Sequence, residues 1–220
     1  MAKVIIFGTR DFAELAYYYL TNDSEHSVVG FTADKDYLPD TLKFQSLPVV
    51  PFEKLSSIFP PNQFKLFAPM APVDMNKQRE NVYLRGKNKG YEFVSYISSK
   101  ATIWNNDIGE NCFILEDNTL QPFTNVGNNV ILWSGNHIGH HGEIKDHVFF
   151  TSHVVMSGNC VIGSNSFLGV NSAIRDNSYV SKGTLLGMGA NLTIRRTEKW
   201  SVYIGSPAKK LKNKRSDQIM

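Results

Sequence analysis

"ILWSGNHIGHHGEIKDHVFFTSHVVMSGNCVIG", residues 131–163, decides the fold. Large apolar side chains recur in it at every sixth position: Leu132, Ile138, Ile144, Phe150, Met156 and Ile162. The rhythm extends both ways, from Ile108, Ile114, Leu120 and Val126 to Leu168, Ile174, Val180, Leu186 and Leu192. With 42% of the chain hydrophobic, fifteen consecutive matches would arise by chance roughly twice in a million trials. Four places after each large residue stands a small one, such as Cys112, Thr124, Gly142, Cys160, Ser172 and Ala190; only the last slot, Arg196, departs.

A period of six is neither helical nor that of a long alternating strand. It fits a parallel β-helix, in which each hexad makes one short flat and one turn, and three hexads close a triangular coil. The large residue fills the interior of the prism, and the small one lets the chain pass the corner. Fifteen hexads make about five coils, stacked at the strand spacing of ~4.8 Å. Both cysteines, Cys112 and Cys160, occupy the small-residue slot, so packing accounts for them without redox chemistry.

Residues before the repeat follow other rules. "KVIIFG" is a buried strand ending at Gly8, and Phe12, Leu15, Ala16, Tyr19 and Leu20 then mark one face of a helix. "SVVGFTAD" and "FKLFAPMAP" are further strands, while "PFEKLSSIF" and "VDMNKQRENVYLRGKNKG" are helices. Strands alternating with helices imply a small Rossmann-like α/β unit with a parallel sheet. The expected organisation is an α/β domain over residues 1–95, an all-β prism over 96–205 and a basic tail over 206–220.

Bulk properties narrow the function classes. A formal charge of +3 is too weak to argue for nucleic acid. The apolar run after Met1 is too short for a signal-peptide core, and no later segment is long enough to span a membrane. The expectation is a soluble cytoplasmic protein, with no nucleic-acid partner and no membrane insertion.

Gly8 opens a strand-to-helix turn, but "GTRDFA" keeps only the first glycine of the dinucleotide fingerprint, which argues against NAD. Backbone N–H groups of such a turn can still hold a phosphate. Arg10 either adds charge there or is simply solvated.

A small α/β domain feeding a hexad prism resembles the left-handed β-helix acyltransferases, the hexapeptide-repeat family. Within it the chain looks like the bacillosamine- and perosamine-type sugar N-acetyltransferases and the sialic acid O-acetyltransferases. The stretches carrying the resemblance are "KVIIFGTRDFAELA", "VVGFTADKD", "GYEFVSYISSKATI", the repeats and "IGSPAKKLK". The resemblance implies a left-handed coil, a homotrimer with active sites between subunits, and acetyl-CoA as co-substrate. It also implies a nucleotide-linked amino sugar held by Gly8, Thr9, Arg10, Asp34 and Lys35, and acetyl-CoA held by Gly158, Val170 and Lys209. The implied catalytic base is His140 in "IGHHGEIKD", with Gly158 N–H polarising the thioester carbonyl. The acid that follows the base in the family is replaced by His141, and Glu143 is the other candidate partner. The second family histidine is replaced by Phe149.

Five histidines fall between His137 and His153, which raises a metal site as the rival. His141, His147 and His153 all hold the fourth hexad position, so they point about 120° apart and cannot share one ion within a chain. No metal is expected. The basic run "KKLKNKR" is either solvated or contacts coenzyme A phosphates, with Lys209 nearest the prism. The expected activity is acetyl-CoA-dependent N-acetylation of a nucleotide-linked amino sugar in surface-glycan synthesis. The alternatives are sugar O-acetylation on the same fold and a non-catalytic or metal-binding β-helix.

Overall fold

The structure is a computed structural model and describes residues 1–220. The chain opens with β1 (Lys3–Phe7), buried from Val4 onward, and α1 (Asp11–Asn22). Then come β2 (Ser27–Ala33), the pair β3 (Lys43–Phe44) and β4 (Leu47–Pro51), and α2 (Leu55–Ile58). β5 (Lys65–Phe67) and α3 (Lys77–Asn88) complete the layer. Strand order is β3-β4-β2-β1-β5, parallel except where β3 and β4 form a hairpin that periodicity did not reveal. From β1 the chain steps to β2 on one side and later to β5 on the other. The crevice beyond the carboxyl ends of β1 and β5 is therefore a topological switch point, where ligands bind in open α/β sheets.

From Tyr96 onward the chain winds as a left-handed parallel β-helix with three faces. Its two-residue strands pair with the strand eighteen residues on: Ile131 with Phe149, His137 with Val155, Glu143 with Val161. The first face carries Phe113, Ile131, Phe149, Phe167 and Leu185; the second carries Thr119, His137, Val155 and Ala173; the third carries Asn125, Glu143, Val161 and Tyr179. The sixth-position residues from Ile114 to Leu192 fill the prism and are at most 4% exposed. The small residues at the corners are buried with them, Cys112, Thr124, Val148 and Cys160 completely. In the first coil, Ile97 pairs with Ile114 and Ile103 with Leu120, seventeen residues apart, so a strict count of six from Ile108 steps past these two flats.

The corners have a conformational rule of their own. All fourteen fourth-position residues from Asn111 to Gly189 have positive φ, between 53° and 80°. Six are Asn, three Gly and three His, with Asp117 and Phe123 completing the set. Asn, Asp and His tolerate left-handed backbone better than other side chains, and Gly has no penalty there. His141, His147 and His153 therefore each occupy a slot that the turn itself selects for.

The first face is the floor of the α/β layer. Phe113, Ile131 and Phe149 share one core with Val4, Ile6, Ala16, Leu20 and Phe67. α3 lies along the corner between the third and first faces, and its fully buried Arg79 plugs that edge. The guanidinium donates to Asn129 Oδ1 (3.1 Å), Asn76 Oδ1 (3.0 Å) and the His147 carbonyl (3.2 Å), and also to the Asn129 carbonyl. Burial pulls its pKa down to about 9, so it remains a cation at neutral pH. Residues 206–220, expected only as a basic tail, form ordered structure against the end of the prism. Lys209–Arg215 folds back antiparallel on Ser201–Ile204, and Ser216 is buried with its hydroxyl bonded to the Gly183 carbonyl.

Candidate active site

A tight turn, residues 139–142, carries His140 and His141 at the corner between the second and third faces. The coil before it braces this turn. The Thr124 hydroxyl donates to the Gly139 carbonyl (2.6 Å) and accepts from Gly142 N–H (2.9 Å), while Gln121 Oε1 accepts from His140 N–H (3.0 Å). The coil after it contributes Asn159, whose N–H donates to the His140 carbonyl at 2.9 Å. The backbone is thus fixed on both sides while both imidazoles remain exposed.

The two rings touch. His140 Nδ1 and His141 Nδ1 are 3.0 Å apart, with the ring planes at 86°. One of these nitrogens must donate. If His140 Nδ1 carries the proton, its Nε2 is left as a free acceptor, which is the tautomer a general base requires. Glu143 does not take part; its carboxylate pairs with Lys145 on the third face. Of the two residues considered as partners of His140, only His141 contacts its ring.

Gly158 lies directly beneath His140. A Cβ at Gly158 would fall 2.6 Å from His140 Cε1 and 2.7 Å from Nε2, so only glycine allows the ring to rest there. Gly158 N–H has no acceptor within the chain. An acyl oxygen beside His140 would find that donor unpaired.

The α/β layer holds a second site. A cavity of about 770 Å³ opens at the switch point beyond β1 and β5, lined by Gly8, Thr9, Arg10, Asp34, Tyr37 and Arg85 among others. Four of the five residues expected to hold a nucleotide sugar converge here. The fifth, Lys35, is exposed on the short turn after β2 and stays outside the lining. Asp34 accepts both terminal nitrogens of Arg85 (3.0 and 2.5 Å), and this raises the Arg85 pKa. Arg10 stacks over the Tyr37 ring at 5.4 Å, which holds its charge at the cavity mouth. Reading the sequence missed Arg85 and Gln78. Both come from α3, where no local pattern announces a partner fifty residues earlier.

Val170 and Lys209 are not beside His140. Val170 belongs to the corner between the first and second faces, one edge away, and Lys209 starts the exposed strand at the far end of the prism. The cavity is also remote from His140. In a three-sided prism the corner of His140 is the edge opposite the first face, and the first face carries the α/β layer. The other histidines are separate as well. His147 is buried against Asn129 and Glu80, and His153 rests over Gly135. No group of three or more His, Cys, Asp or Glu side chains converges on a metal position. No helix is long and apolar enough to cross a membrane.

No family model and no curated protein matches this sequence. Solved structures do. A histidine-to-asparagine variant of perosamine N-acetyltransferase from Caulobacter crescentus, in complex with CoA and GDP-perosamine, superposes with a TM-score of 0.85. It covers 97% of this chain and 98% of its own, at 18% identity. The chain has the fold of that enzyme. The acetyltransferase domain of PglB from Neisseria gonorrhoeae matches at TM-score 0.79 and 19% identity, over 96% of this chain and 100% of its own. WeeI from Acinetobacter baumannii gives 0.75 and 19% over the same shares. The resemblance seen in the repeats and flanking motifs thus holds for the fold across nearly the whole length.

Proposed function

We propose that this chain is an acetyl-CoA-dependent N-acetyltransferase acting on the amino group of a nucleotide-linked sugar. The observation that carries the reading is the His140–His141 pair resting on Gly158, on a fold whose solved relative holds CoA and GDP-perosamine. A sugar amine is mostly protonated near pH 7 and must lose a proton to attack a thioester. His140 Nε2 takes that proton, His141 holds the ring in the required tautomer, and Gly158 N–H receives charge on the carbonyl oxygen. The tetrahedral adduct then expels the coenzyme A thiolate, leaving the amide.

The switch-point cavity is the candidate seat of the nucleotide sugar, with Gly8, Thr9 and Arg10 at the diphosphate. Asp34 contributes there by orienting Arg85, and Lys35 adds positive charge outside the wall. This cavity lies across the prism from its own His140, so it reaches such a histidine only on another copy. A homotrimer meets that need. It also brings the edge of Val170 on one prism beside the edge of His140 on the next, with Lys209 available to coenzyme A phosphates. Reliance on acetyl-CoA and a nucleotide sugar favours the cytoplasm.

Thiol release from acetyl-CoA, measured against UDP-, dTDP- and GDP-linked 3- and 4-amino sugars, tests the reading. Wild type is expected to turn over one amino sugar and not its hydroxyl analogue. His140→Ala is expected to lose at least a hundredfold in kcat. Turnover of hydroxyl sugars alone would replace N- with O-acetylation.

A further inference from the structure

Phe123 breaks the corner rule. It is the one bulky hydrophobic residue among the fourteen fourth-position residues, held at φ 68° in a conformation that suits Asn, Gly or His. Its ring is 71% exposed, among the most exposed large apolar side chains of the prism. An aromatic residue kept in a left-handed turn and left in water carries two penalties, and such residues cluster at binding sites.

Its position narrows the purpose. Phe123 precedes His141 by eighteen residues, so the two lie one coil apart on the same edge, ring centroids 4.7 Å apart and tilted by 38°. Its neighbours on that loop, Gln121 and Thr124, are the residues that brace the His140 turn. The edge thus runs Phe123, then His141 with His140, then Gly158 one coil further on. Gly158 and the other candidate coenzyme residues, Val170 and Lys209, all lie C-terminal to His140. The side left for the acceptor is the N-terminal one, where Phe123 stands.

We propose that Phe123 is a binding residue that receives the C–H face of the acceptor's sugar ring beside His140. The inference rests on the acetyltransferase reading above. A pyranose presents an apolar C–H face to an aromatic ring while its polar groups stay at the rim. The preferred acceptor is one with an unbroken C–H face beside the amine-bearing carbon.

Two variants test this, Phe123→Asn and Phe123→Tyr. Asn suits the turn, as its six occurrences in that slot indicate, so Phe123→Asn folds with an unchanged or higher melting temperature. It is expected to raise KM for the nucleotide-linked amino sugar about tenfold, with KM for acetyl-CoA unchanged and kcat within about twofold. Titration calorimetry with the same sugar nucleotide should show the same weakening, and Phe123→Tyr should restore wild-type values. An unchanged acceptor KM in Phe123→Asn overturns the proposal and leaves the acetyltransferase reading standing. So does a loss of oligomer mass with both KM values rising together, which would assign the ring to packing between copies. A wild type that neither binds nor acetylates any sugar nucleotide of the panel overturns both readings.

Discussion

Replacing Gly158 by Ala isolates the position of the His140 ring from the presence of the ring. The backbone at Gly158 is not left-handed, so alanine introduces no strain of its own. The new methyl would sit 2.6 Å from His140 Cε1, whereas ordinary carbon–carbon contact begins near ~3.5 Å. The imidazole must therefore retreat by roughly 1 Å. His140 is exposed and free to swing outward, so the fold should lose little, about 0.5 kcal/mol or less. Catalysis is far less tolerant: a misplacement of about 1 Å costs on the order of a hundredfold. Expected values are kcat/KM down about a hundredfold in thiol release, with a melting temperature within about 2 °C of wild type. His140→Ala serves as the reference for complete loss of the base. If Gly158→Ala retains kcat/KM within threefold of wild type while His140→Ala is inactive, ring position over Gly158 is irrelevant and the geometric argument fails.

Arg79→Met keeps most of the side-chain volume but strips the carbonyls of Asn129 and His147 of their donor. With two buried carbonyls left unpaired at about 1–3 kcal/mol each, the expected cost is ~2–6 kcal/mol, or a melting temperature lower by about 4–24 °C in calorimetry; a change under ~1 kcal/mol would mean the plug contributes nothing. His147 supplies a pH test. Burial lowers its pKa against the opposing pull of Glu80, with Arg79, Asp146 and Lys182 the other charges acting on it. The unfolded chain then binds the proton more readily, so stability is full above about pH 6.5 and falls as pH drops toward the folded value. His147→Asn, which fits the same turn, should reduce that slope in denaturant titrations below about pH 6.5; part should persist because burial also lowers His26. An unaltered slope would count against a buried neutral His147.

The prism was legible in the sequence because its signal is a single repeated demand, one large side chain inward at every sixth place. Ile138, Phe150 and Leu168 are interchangeable for that purpose, and the demand survives substitution. The corners were not legible because left-handed backbone is satisfied by residue types with nothing else in common. Asn129, Gly135 and His147 look unrelated until their φ angles are compared. It is also why the spacing could rule out a shared ion for His141, His147 and His153 without giving the reason for histidine there, which is the turn itself. At the site, His140 followed from its place in a motif, but its partner did not. His141 and Glu143 follow His140 at one and three residues, and what separates them is the contact of His141 with the His140 ring and the pairing of Glu143 with Lys145. The terminal hairpin was hidden because five basic residues in seven suggest solvent or phosphate contact, although an edge strand can carry the same exposed side chains.

The eighteen-residue register has a consequence for how this chain can change length. Each edge of the prism is an address that returns once per coil. Deleting residues 163–180, one whole turn, would join Ile162 to Ser181 and leave every downstream side chain on its present face. Deleting six would advance everything beyond the cut by a third of a revolution and swing the closing hairpin off its sheet. Insertions and deletions are thus quantised: whole coils shorten or lengthen the column, and smaller changes scramble it.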